Sequence, residues 1–148
     1  MQSSFSSTFV RYFKGKQVVV AASDSPILMV YGQGTTQTHR GNVRDDAVYR
    51  ITVEIRLNVK KYFDMANGNT DKLDALEALV DLVEERETDG DLKPVTVMGI
   101  LNANLTISGT VLYTKDMEVE YEQYMNRQDA PEVRALVRFT AHDRPNRT

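Results

Sequence analysis

From Tyr49 to Val59 the chain alternates without a break. Tyr49, Ile51, Val53, Ile55, Leu57 and Val59 are apolar, and Arg50, Thr52, Glu54, Arg56 and Asn58 between them are polar. A period of two puts the apolar set on one side of an extended strand, so the run predicts a β-strand with one buried and one wet face. At about 3.3 Å per residue it spans about 35 Å. Whatever fold the chain adopts must supply this strand with neighbours and a cover.

The cover comes next in sequence. Asn67-Gly68-Asn69-Thr70-Asp71 is a turn and helix-start cluster, and Asp71–Glu87 carries Leu73, Leu76, Leu79, Val80 and Val83 at helical spacing. Asp74, Glu77, Asp81, Glu84 and Glu85 take the opposite side. Thr70 or Asp71 is placed to cap the free N–H groups, and Asp89-Gly90-Asp91 followed by Pro94 ends the helix.

The remaining segments read as strands and connections. Gln17–Ala22 and Ile27–Tyr31 are short β-type runs separated by Ser23-Asp24-Ser25-Pro26. Thr35–Asp46 is polar and aperiodic, which predicts an exposed loop. Val95–Leu101 is an apolar run expected as a buried strand. Thr110–Tyr121 and Val133–Ala141 both alternate, with Lys115 breaking the pattern at an expected bulge. The polar face of the first is acidic and that of the second basic, so opposite-charge cross-strand pairs in an antiparallel arrangement are expected. The order is β-β-β-α-β-β-β. It predicts an α+β fold, a mostly antiparallel sheet with one main helix on one face. Residues 1–16, rich in Ser and holding Phe5, Phe9, Tyr12 and Phe13, read as an N-terminal arm, 17–142 as a single domain and 143–148 as a flexible tail.

Composition excludes several classes. The chain has no cysteine, which removes disulfides, Cys-ligated metal and thiol nucleophiles. Its net charge is −3, and the longest basic run is Lys60-Lys61, so a basic face of the kind that neutralises phosphates is not expected. No run of about 18 apolar residues exists for a membrane span. The opening residues have neither the charge nor the apolar core of a signal peptide.

Motifs for chemistry are sparse. His39 lies in the polar loop and His142 at the end of the last strand, with nothing in the sequence placing them together. Gly32-Gln33-Gly34 is two glycines in a turn, and no phosphate loop, dinucleotide fingerprint or nucleophile elbow is present. Asp45-Asp46 and Asp89/Asp91 offer paired carboxylates, but one pair leads out of a loop and the other stops a helix. The acidic row Asp116, Glu118, Glu120, Glu122 reads as an ion-paired strand face. No catalytic residue, cofactor or metal is expected. Contacts with other chains are expected instead from Phe5 and Phe9 in the arm, Gln37, Thr38, His39, Arg40 and Arg44 in the loop, and Tyr124 and Met125 past the strand.

The succession of Val48–Val59, the helix Asp71–Val83, the strand Thr96-Val-Met-Gly-Ile-Leu101 and the closing strand Val133–Thr140 resembles the tail terminator (minor tail) proteins of long-tailed bacteriophages, over roughly residues 17–142. The family usually opens with a long helix, and this chain opens with a Ser- and Phe-rich stretch. The resemblance implies a non-catalytic virion protein assembled in the host cytoplasm. It would form a hexameric ring that caps the tail tube, and would contact the tube protein and a head-completion or neck protein. DNA would pass through the lumen without sequence-specific binding. The alternatives are another neck or tail-tube component such as a head–tail joining protein, a ligand- or peptide-binding module on the same sheet, and an enzyme using a carboxylate pair.

Overall fold

The structure, a computed structural model, describes residues 9, 11–16, 25–40, 44–60, 72–107, 109, 111–125 and 131–144. Its elements are β1 (Arg11–Lys14), β2 (Ile27–Arg40), β3 (Arg44–Asn58), α1 (Lys72–Glu84), α2 (Val97–Ala103), β4 (Tyr113–Met125) and β5 (Pro131–Asp143). The strands form one sheet in the order β1-β2-β3-β5-β4. β2, β3, β5 and β4 are antiparallel to their neighbours, and β1 lies parallel to β2 at its edge. The fold is α+β.

The alternating run does on its apolar side what the period requires. Val53, Ile55 and Leu57 of β3 join Val133, Ala135, Val137 and Phe139 of β5 in one buried cluster. α1 lies over them with Ala75, Leu79 and Val83, an i, i+4, i+8 stripe, while Glu77 and Asp81 are exposed. Leu79 and Val83, taken fully out of water, contribute about 1.5–3 kcal/mol each, so this stripe fixes which face of the sheet α1 covers.

Several expectations are corrected. Val95–Leu101 is no strand: Val97–Ala103 is the helix α2, and Val95 stands outside it, 73% exposed. The cause is local. Thr96 caps the helix, its Oγ1 accepting from the Gly99 amide at 3.0 Å and donating to the Lys93 carbonyl at 2.8 Å. Val97 and Leu101 then fall four residues apart and are both buried. Among the described residues the helices α1 and α2 therefore lie between β3 and β4, and Thr96–Leu101 departs from the strand that the resemblance implies.

Thr35–Asp46 is not a loop of its own. Most of it forms the arms of the β2–β3 hairpin, paired from Thr35↔Tyr49 to Arg40↔Arg44. Nor are residues 9 and 11–14 an arm outside the domain. Phe9 is 5% exposed in the main cluster, β1 adds to the sheet, and Phe13 packs on Ile27 and Met29. At the other end Asp143 belongs to β5 and Arg144 pairs with Asp46, so the tail begins later than residue 143. Gln17–Ala22, Phe5 and 145–148 lie outside the described residues.

Candidate functional site

The helix-covered face leaves little for function, and the opposite face of the sheet carries the charge. Its residues were expected to be wet, yet Thr52, Glu54, Arg56 and Asn58 of β3 are all buried. The register explains how. Glu54 is flanked by Met29 on β2 and Leu136 on β5, and Arg56 by Ile27 and Arg134. Apolar neighbours on the same face seal a polar centre.

That centre is a hydrogen-bonded chain across four strands. Glu54 accepts from the Tyr31 hydroxyl at 2.7 Å, from Arg56 Nε at 2.7 Å and from Arg134 Nη1 at 3.4 Å. Arg56 and Arg134 are directly opposed across β3 and β5, a like-charge pair that would be unfavourable alone. Glu54 accepts from both. On the far side of Arg134, Glu122 of β4 takes Nε at 2.6 Å and Nη2 at 2.5 Å. The Arg134 guanidinium also lies over the Tyr124 ring, 4.8 Å from its centroid, and the Tyr124 hydroxyl donates to Glu132 at 2.5 Å. Arg138 and Glu120 continue the row at 2.5 Å, nearer solvent.

Proton affinities follow this geometry. Burial alone would push the Glu54 carboxyl up, but the bonds from Arg56 and Tyr31 and the two guanidinium charges outweigh it and hold the group below the usual carboxylate value. Burial, together with the bond to Glu54, pushes Tyr31 up to about 12. Tyr124 is pushed up by burial and by its bond to Glu132. The centre is thus fixed as carboxylate, guanidinium and neutral phenol. It locks the register of four strands, and its charges are engaged with one another.

Two cavities flank this centre. One, of about 300 Å³, lies where β3 begins and β5 ends and is lined by Thr38, Asp46, Val48, Leu112, Tyr113 and His142 among others. There the His142 and Tyr113 rings stack with centroids 4.7 Å apart and 9° between planes, and His142 Nε2 lies 3.1 Å from Thr140 Oγ1. The other, of about 240 Å³, lies at the opposite end between Val59, Tyr124, Met125, Pro131, Glu132 and Val133. Among the described residues no group of three His, Asp or Glu side chains is placed to hold a metal ion. No described helix is long and apolar enough to cross a membrane.

The expected contact residues scatter. Gln37, Thr38 and His39 are exposed on β2, and the backbones of Arg40 and Arg44 face each other at the last pair of the hairpin. Met125 is 57% exposed beside the second cavity. Tyr124 is drawn into the charged centre, and Phe9 is core; neither is the free surface group expected. The structure brings Thr38, Asp46 and His142 to one cavity but leaves His39 outside its lining. Sequence reasoning missed Tyr31, Glu54, Arg56, Arg134 and Glu132 as a unit. The available signal was Glu54 and Arg56 two apart on one strand face, opposite a strand whose polar face is basic.

Compared with protein-family models and with curated proteins, the sequence matches none.

Proposed function

We propose that this chain is a structural subunit that assembles with copies of itself into a ring, of the kind that terminates a phage tail tube and joins it to the head or neck. One observation carries the self-assembly. From Gly32 to His39 every residue of β2 is exposed, although the segment is regular strand. Past Gln37↔Ala47, where β5 no longer pairs with β3, the hairpin is two-stranded, and two strands alone are marginal in water. Cover from another subunit supplies what the chain's own fold leaves out. The ring and the tail rest on the resemblance in the order and patterning of the long alternating strand, the helix with an acidic side and the two closing strands; the helical α2 departs from it.

The test is the mass of the purified chain by light scattering after size exclusion, over a range of concentrations. A ring-sized multiple, with a central hole in negative-stain images, is the expected result. A monomer at every concentration overturns self-assembly. It would favour the reading as a ligand-binding module, for which the 300 Å³ cavity beside His142 is the observation.

A further inference from the structure

β4 is the last strand of the sheet on its side, and among the described residues no strand is paired with its outer edge. We propose that this edge takes an added strand: an extended segment of a partner protein that carries Lys or Arg on one face and apolar side chains on the other. The inference does not depend on self-assembly, because the occupant is a different chain.

The backbone sets where such a strand fits. From Glu118↔Arg138 to Met125↔Pro131 the pairing of β4 with β5 is regular. Alternate residues of a regular edge strand bond inward to their neighbour, and those between them turn N–H and C=O groups outward, where an added strand can bond them. Ahead of this stretch, the bulge between Lys115 and Glu118, with Asp116 at φ 56°, interrupts regular pairing and sets one end of the site.

The side chains choose the occupant. On the charged face Glu118, Glu120 and Glu122 stand in a row, and β5 offers them two guanidinium groups. Arg138 bonds Glu120 at 2.5 Å, and Arg134 bonds Glu122 at 2.6 Å while also serving Glu54. Arg138 lies opposite Glu118 in register, yet among the described residues no cation is bonded to Glu118, which is exposed. The row therefore meets the edge with negative charge in excess. On the other face Met117, Val119 and Tyr121 pack against the main cluster and stay half-buried. A strand laid beside β4 covers their open side, so its residues on that face are apolar and those beside the glutamates are basic. The same row disfavours a second copy of β4, since antiparallel pairing with like faces together sets glutamate against glutamate. In strand addition the main-chain bonds supply affinity and the alternate side chains supply specificity.

The probe is a labelled synthetic peptide of alternating Lys and Val, blocked at both ends and long enough to span Glu118–Met125. Binding to the whole chain is read by fluorescence anisotropy at moderate salt. Saturable binding is expected; no binding, or equal binding of a peptide alternating Glu and Val, overturns the proposal. Two methylated copies test the geometry. Residues on one face of a strand turn their amides to the same side, so N-methylation of the Val amides blocks one edge of the peptide and N-methylation of the Lys amides the other. One copy is expected to bind like the unmethylated peptide and the other not to bind. If the two behave alike, the peptide is not held as an added strand, and the proposal fails. Glu118→Lys, at an exposed position, is expected to melt like the parent chain and to weaken binding of the unmethylated peptide about tenfold. Unchanged binding places the peptide elsewhere and overturns the proposal. If Glu118→Lys instead lowers the mass of the chain in light scattering, the edge is occupied by a second copy and not by a partner protein, and the proposal fails.

Discussion

Arg56 Nε lies 2.7 Å from Glu54 Oε1, two residues away on the same strand face, and the two side chains are only 7% and 0% exposed. Residues i and i+2 on a strand are neighbours on one face, so the pair forms within β3 before any other strand contributes. Tyr31 and Arg134 then complete the carboxylate's acceptor sites from either side. A buried ion pair tolerates this environment because both oxygens of the carboxylate are bonded.

Glu54→Gln is accordingly expected to destabilise the chain by about 3 kcal/mol, because it leaves the buried Arg56 and the half-buried Arg134 around a neutral amide. The loss depends on pH in a definite direction. The folded carboxyl titrates below its unfolded value of 4.5. Its contribution is therefore complete above that value and disappears as pH falls through the lower, folded one. Urea unfolding of parent and variant from neutral to acid pH should show two curves that converge on the acid side. Parallel curves would show that Glu54 is not held as a carboxylate.

Tyr31 gives the opposite limb. Its hydroxyl is pushed up to about 12 from an ordinary 10.0, by burial first and then by Glu54. In the unfolded chain the phenol ionises near 10, so stability is intact below that value and falls between the two. Tyr31→Phe should weaken the chain at neutral pH through the lost bond, by about 1 kcal/mol, and reduce the loss of stability above pH 10. Ultraviolet absorbance of phenolate against pH, followed with circular dichroism, separates tyrosines that ionise in the folded state from those that ionise only on unfolding. Tyr31 ionising in the folded state near 10 would contradict the contact.

Gly99 should tolerate no side chain. A Cβ there would sit 2.2 Å from the Lys93 carbonyl oxygen, which itself accepts from Thr96 Oγ1. Backbone, not a flexible side chain, stands in the way, so Gly99→Ala either displaces the cap or moves α2. The expected cost is about 1–3 kcal/mol, although the same change on an open helix is stabilising. A thermal melt distinguishes the signs directly.

How much of this was legible depended on whether a side-chain period accompanied the backbone. β3, β4 and β5 alternate over long runs because one face of each packs under or beside α1, and the opposite charges of Glu122 and Arg134 announced that β4 and β5 are neighbours. The outer half of β2 had no such signature. Gly34-Thr35-Thr36-Gln37-Thr38 is held by backbone pairing to β3 with both faces wet, so nothing selects an alternation. α2 was hidden because an apolar run as short as Val95–Leu101 fits a buried strand and a short helix equally; the decision lay in Thr96 and Gly99. The polar centre was hidden for a third reason. Polar residues at alternate positions normally mark a wet face, and only the register, with Met29 and Leu136 on either side of Glu54, shows that this one is sealed.

The N-terminal segment provides the sharpest contrast between pattern and packing. By sequence pattern residues 1–16 read as an N-terminal arm outside the domain. Instead Phe9 is 5% exposed among Leu28, Val53 and Leu79, and Phe13 covers Met29 on the opposite face. A buried Phe cut to Ala typically costs about 3–5 kcal/mol. β1 also occupies the lower part of the β2 edge through pairs from Arg11↔Ile27 to Lys14↔Val30. Deleting 1–14 is therefore expected to lower the melting temperature sharply and to expose the β2 edge to aggregation. Phe9→Ala should reproduce most of the loss in stability with β1 still in place. Melting curves of the two variants decide the matter. If the deletion melts like the parent, the segment is dispensable to the domain, and its place is on a neighbouring subunit.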